Sequence, residues 1–217
     1  PYDFTIAEIR ARLEAAGMAL NHLNTRPGES FGLAAQPGRE GEFQSAFDLA
    51  LDYAAQLGAL TIHCMSGVVA PADRVRARDT FLRNMSAASD KARGTGVTLV
   101  IEPINRHDRD NFFVSRSDEV VDLLRELDRP NVRLLFDFYH IQISEGDLTR
   151  RLDRHWPWIG HFQFASVPAR NEPDLGEVNL KPLFADIARR GWSGYLGAEY
   201  RPAGRTEDGL AWLNTLA

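Results

Sequence analysis

Apolar positions along the chain fall into two alternating rhythms. From Thr5 onward, Ile6, Ile9 and Leu13 recur at helical spacing behind a Thr5-x-x-Glu8 pattern that suits a capping box, and Gly17 supplies the stop. A short extended run at 18–23, a Pro- and Gly-rich loop at 26–41 and a helical stretch at 43–57 ending at Gly58 come next. The same order then repeats. Strands are predicted at 59–64, 97–102, 132–137, 159–164 and 195–200, with helices at 72–93, 117–127, 147–154, 180–190 and 207–213. Counting 18–23, that gives six strands. Runs such as VTLVI and VRLLF are apolar without alternation, as strands covered on both faces must be.

Strands alternating with helices imply a parallel sheet covered by helices, either an open doubly wound sheet or a (β/α) barrel. No Gly-x-Gly-x-x-Gly follows a strand to favour a dinucleotide-binding sheet. A TIM-type (β/α) barrel is favoured because four successive strands each carry an oxygen-bearing side chain at or near the C-terminal end, and closure makes such ends converge on one mouth. The 217 residues, 44% of them hydrophobic, suffice for one domain spanning 1–217.

Charge and cysteine content narrow the partners. A net charge of −5 argues against binding a phosphate backbone, which needs a basic field, so nucleic acid is not expected as a partner. The single cysteine, Cys64, lies in an apolar run, which points to a buried thiol in a reducing compartment, and the cytoplasm is the expected location. No apolar run approaches the roughly 20 residues that span a bilayer, and PYDFTIAEIR lacks a basic-then-apolar leader, so neither membrane nor export is expected.

The four strand-end positions are Glu102, Asp137, Gln163 and Glu199, separated by 35, 26 and 36 residues, about one βα unit each. Any one of them has an ordinary explanation as a helix cap or an arginine partner. Together they demand more, because three carboxylates gathered at one mouth repel one another unless a cation or proton neutralises them. An oxygen-only set without cysteine favours a hard divalent ion, Mg²⁺ or Mn²⁺. Such an ion can bind the two oxygens of an α-hydroxycarbonyl and stabilise an enediolate. Glu102 and Glu199 lie on strands two apart in the intervening count, and could flank the substrate and move a proton between neighbouring carbons.

The segments IEPIN (101–105), LLFDFYHIQ (134–142), HFQFASVPARNEPDLGEVN (161–179) and GAEYRPAGRTEDGLAW (197–212) strongly resemble the hydroxypyruvate isomerase and 2-oxo-tetronate isomerase family, within the xylose-isomerase-like barrels. The resemblance implies a metal-dependent aldose–ketose isomerase acting on hydroxypyruvate or a related small 2-oxo acid. It implies Glu102 and Glu199 as proton donor and acceptor as well as metal ligands, with Asp137 and Gln163 completing the coordination. His140 and Arg170 match substrate-contacting positions, and a guanidinium suits a substrate carboxylate. His63 either lines the pocket or is a core histidine; Glu172 sits in the family's loop as a further substrate contact; Asn105 is expected to orient Glu102.

Relatives in this family begin with a strand, a helix and a second strand ahead of the segment that opens here, so the chain is expected to lack the first two barrel strands. Open edges at 18–23 and 195–200 would then result, so the expectation is either a truncated or incompletely recorded chain or a second copy that covers the gap in a homo-oligomer. Alternatives on the same barrel are a ketose 3-epimerase, an inosose-type dehydratase, or an impaired truncated homologue; relatives among the epimerases usually carry His where Gln163 stands. A DNA-repair endonuclease would want a His-rich site and a basic groove, which six histidines and an acidic balance do not offer.

Overall fold

The structure is a computed structural model that describes residues 1–216. Six strands, β1 (His22–Asn24), β2 (Thr61–His63), β3 (Thr98–Ile101), β4 (Val132–Asp137), β5 (Ile159–Phe164) and β6 (Leu196–Ala198), pair in chain order as one parallel sheet. Helix α1 (Ile6–Ala16) precedes β1, and α2 (Glu40–Leu57), α3 (Arg74–Ala92) and α4 (Ser117–Leu127) separate the strands from β1 to β4. Between β4 and β5 lie α5 (Phe138–Ser144) and α6 (Leu148–His155), α7 (Leu180–Arg189) precedes β6, and α8 (Leu213–Leu216) ends the described chain. This is the (β/α) barrel type of architecture, carried by six strands.

The sheet curls strongly. The rings of His22 on β1 and His161 on β5 stack at 4.5 Å and 4° although three strands separate β1 from β5, so side chains from opposite parts of the sheet meet across its interior. A register shift between β4 and β5 contributes: Leu134 faces Ile159 while Leu135 faces His161, and Gly160 is skipped. A Cβ on Gly160 would lie 2.5 Å from Arg133 Cβ, so only glycine fits this bulge. The shift brings Asp137 opposite Gln163 at the strand ends.

Helix formation follows the sequence pattern. Thr5 and Glu8 form the capping box of α1, and Gly17 closes it in the left-handed region at φ 62°. In α4, Val120, Val121, Leu123, Leu124 and Leu127 form a buried stripe while Asp122, Arg125 and Glu126 face solvent; each buried aliphatic contributes roughly 1.5–3 kcal/mol. The central core holds Phe81, Phe136, Phe138, Phe162, Leu99, Ile101 and Leu134, all fully buried between sheet and helices. Among the described residues, no helix is long and apolar enough to cross a membrane.

Three expectations need adjustment. The first strand is three residues long and begins at His22, later than expected, because Met18 stays exposed and only Asn21 O, accepting from Leu60 N and Thr61 N, leads into the pairing with β2. The helix α5 has no counterpart in the predicted pattern: Asp137 ends β4 and at once caps α5, its Oδ1 accepting from Tyr139 N at 2.8 Å, so the apolar run crosses the boundary unbroken. The expected helix at 207–213 is a 3₁₀ segment, Thr206–Trp212, with Gly209 at its middle.

Candidate active site

The C-terminal ends of β3 to β6 present the four oxygen-bearing side chains in strand order. Glu102 follows β3 directly, Asp137 ends β4, Gln163 lies one residue before the end of β5, and Glu199 follows β6, where its N–H continues the ladder to Phe164 O at 3.0 Å. Glu102, Asp137 and Gln163 are buried at 4%, 0% and 7% exposure, whereas the Glu199 side chain is 45% exposed. Glu102 and Asp137 come close enough to share an ion and Gln163 stands opposite Asp137 in the sheet, an inner cluster of three, with Glu199 on the outer wall.

The inner cluster is short of partners. Glu102 Oε1, Asp137 Oδ2 and Gln163 Oε1 are buried and accept no hydrogen bond among the described residues, each of which costs free energy unless something else satisfies it. Single ligand atoms of Glu102, Asp137 and His140 lie within 4.8 Å of one another. Burial, followed by the charges of Glu199 and Asp137, drives the Glu102 pKa well above the usual carboxylate range; burial, with Glu199 adding to it, pushes Asp137 up to about 7. Two buried carboxyls that both resist ionisation, beside an amide oxygen with nothing to accept, fit a hard divalent cation: it would neutralise the pair and take all three free oxygens.

Histidines frame the cluster as neutral groups. Asn105 donates to His140 Nδ1 through its backbone N–H at 3.3 Å, and its Nδ2 stands 2.7 Å away, so Nδ1 is the acceptor and Nε2 carries the proton. That Nε2–H faces Glu102 Oε1 at 3.6 Å and Asp137 Oδ2 at 3.8 Å, too far for a hydrogen bond to either, so it leaves both oxygens free. Asn105 thus orients His140, not Glu102 as the sequence suggested. His63 places Nδ1 3.4 Å from Glu102 Oε2, and its Nε2 has no partner. Burial lowers the pKa of His63 and His161 to about 3 and of His22 to about 4, giving an uncharged polar layer beneath the carboxylates.

The outer wall is organised by Arg170. It adopts φ 56°, places Nη2 2.9 Å from Glu199 Oε2 and Nη1 3.4 Å from Asp108 Oδ2, and lies 4.9 Å over the Tyr139 ring. Tyr139 donates from its hydroxyl to Asp108 at 3.0 Å. Burial opposes the Arg170 charge, but Glu199, Asp137, Glu102 and Asp108 outweigh it and raise its pKa. A cavity of about 370 Å³ opens here, lined among others by His63, Glu102, His140, Arg170 and Glu199, while Asp137 and Gln163 lie outside its lining.

One residue expected at the substrate stands elsewhere. Glu172 is buried outside that lining, both carboxylate oxygens accepting from Ala203 N at 3.1 and 3.2 Å, and a Cβ at Gly209 would collide with it. It anchors the loop after β6. Sequence reasoning missed Asp108 and Arg109 as cavity-lining groups; the signal available was the dense polar run NRHDRDN after β3, on the loop face where a barrel builds its site.

Comparison with known proteins gives consistent matches. Residues 1–216 match the family model described as xylose isomerase-like TIM barrel. A 2-oxo-tetronate isomerase of Cupriavidus necator is 44% identical over 98% of this chain and 84% of its own length, and one of Pectobacterium atrosepticum is 37% identical over 98% and 83%. The crystal structure of an AP endonuclease, family 2, from Brucella melitensis superposes with a TM-score of 0.95 at 40% identity, covering 99% of this chain and 85% of that one.

Proposed function

Because the chain belongs to the xylose isomerase-like TIM barrel family and is an isomerase like its curated relatives, we propose that it shifts a proton between C2 and C3 of a small 2-oxo acid. Hydroxypyruvate and tartronate semialdehyde are one such pair. The four-carbon 2-oxo acid in the names of its relatives would undergo the same shift, since both carry a carbonyl at C2 and a hydroxyl at C3. The supporting observation is the trio of unpartnered buried oxygens on Glu102, Asp137 and Gln163 at neighbouring strand ends, of which Glu102 lines a cavity that Glu199 also lines.

In this reading Glu102, Asp137, Gln163 and Glu199 hold a Mg²⁺ or Mn²⁺ ion. When bound, such an ion polarises the substrate carbonyl and adjoining hydroxyl and stabilises the charge that develops when the carbon beside them loses its proton. The chain's own residues move that proton. Glu102 and Glu199 stand on either side of two intervening strands, β4 and β5, so a substrate between them meets one glutamate at C3 and the other at C2. One removes a proton while the other returns one, and the roles exchange in the reverse direction. His140 Nε2–H stands beside Glu102 and Asp137 as a neutral neighbour, and Arg170 fixes Glu199. The fully buried, single Cys64 suits the reducing cytoplasm in which we place the enzyme.

Turnover in D₂O tests this by NMR. Hydroxypyruvate should interconvert with tartronate semialdehyde, with solvent deuterium entering the exchanged carbon, only when Mn²⁺ or Mg²⁺ is supplied. Turnover that survives exhaustive chelation, or none on either the three- or the four-carbon acid with metal present, contradicts the proposal.

A further inference from the structure

Arg170, the obvious cation for a substrate carboxylate, is already engaged by two carboxylates of the protein, Glu199 at 2.9 Å and Asp108 at 3.4 Å. Recruiting it for substrate would strip Glu199 of its anchor. The same cavity is lined by two further guanidiniums, Arg109 and Arg201, and neither has a carboxylate within ion-pair distance among the described residues.

These two differ in how they are held. Arg109 is partly buried, and its guanidinium carbon lies 3.5 Å from the centroid of Phe31, a residue at φ 54° that also lines the cavity. Stacking on a ring face fixes the plane of a guanidinium and uses none of its N–H donors, which all point outward in that plane. The backbone holds the base of this residue too, Arg109 N donating to Asn105 O at 3.1 Å. Arg201 is exposed and has no ring or acid to fix its head. A planar fork, pre-aligned and unpaired at the wall of a cavity whose floor is acidic, is built for a planar anion entering from solvent.

We propose that Arg109, clamped on Phe31, is the residue that receives the carboxylate of the substrate, and that Arg170 positions Glu199 instead. This rests on the reading of the substrate as a small 2-oxo acid. Phe31 and Arg109 belong to loops that follow β1 and β3, so the two meet across the cavity mouth and set the end of the substrate that points outward. A neutral hydroxyketone of equal size would reach the acidic floor but gain nothing from the clamp, which makes Arg109 a specificity determinant for acids.

The test is equilibrium binding of D-glycerate, an unreactive three-carbon hydroxy acid, to the Mn²⁺-loaded full chain by calorimetry, alongside steady-state turnover of hydroxypyruvate. Arg109→Met should weaken glycerate binding by roughly ten- to hundredfold, as losing a charge-assisted fork does, and raise KM for hydroxypyruvate far more than it lowers kcat. Arg109→Lys should recover part of the binding, which a merely structural role would not produce. Arg170→Lys should instead lower kcat. Glycerate binding within about threefold of wild type in Arg109→Met, in protein whose circular dichroism is unchanged, overturns the assignment; so does a larger loss in Arg201→Met than in Arg109→Met. If glycerate binding depends on Arg109 but hydroxypyruvate does not turn over, the carboxylate site stands and the isomerase substrate is another acid.

Discussion

Glu102 carries the heaviest consequences of any single residue. It is buried, its Oε1 has no partner, and its carboxyl resists ionisation in the absence of a cation. Replacing it by Gln preserves shape while removing the proton-transfer group, so Glu102→Gln should lower kcat by at least about a hundredfold while the thermal midpoint of the metal-free protein stays equal or rises. A fall of several degrees would mean that the carboxyl serves folding. Asp137 offers a pH signature. Its folded pKa of about 7 exceeds its ordinary value of 3.8, so the metal-free native state binds more protons than the unfolded chain between those values, and this residue's contribution to stability falls as pH rises through the window. The midpoint of Asp137→Asn relative to wild type, both metal-free, should therefore climb from pH 4 to pH 7 and level off above it. For the same reason Mn²⁺ affinity of the wild type should rise below pH 7 by up to about tenfold per pH unit for each proton the ion displaces from the pair; a flat profile would contradict the buried pair.

At the scale of elements, the bulge in β5 decides whether Asp137 and Gln163 face each other. Gly160→Ala must push Arg133 aside, and overpacking of this kind costs about 1–3 kcal/mol. The variant should lose stability in urea and bind Mn²⁺ more weakly, because the shift that aligns the two ligands is disturbed; unchanged binding would show that the bulge is dispensable. Sequence made most elements legible. The 117–127 helix has its structural bounds, Gly17 and Gly58 end their helices, and all six strands exist in the expected order. Strand ends were harder. Three residues of pairing in β1, β2 and β6 leave no periodicity to read, and α5 is hidden because Asp137 is at once strand end and helix cap.

The whole molecule turns a linear spacing into a site. Residues 35, 26 and 36 positions apart along the chain reach the same end of one sheet, which curls far enough for His22 and His161 to stack. Oxygen ligands at strand ends are visible in the sequence because the βα repeat makes their spacing regular. The pairing of Arg170 with Glu199 and Asp108 is not, since it depends on loops whose conformations, including Arg170 at φ 56°, no periodicity encodes. Glu172 shows the other side of this: a conspicuous acid in the most family-like loop turns inward to hold Ala203 N. The central claim, that far-separated oxygens share one cation, is tested most directly by Mn²⁺ titration followed by electron paramagnetic resonance. One ion per chain is predicted, with binding weakened at least about tenfold in Asp137→Asn and in Gln163→Leu; a spectrum of free Mn²⁺ throughout, or tight binding untouched by either substitution, would contradict the account.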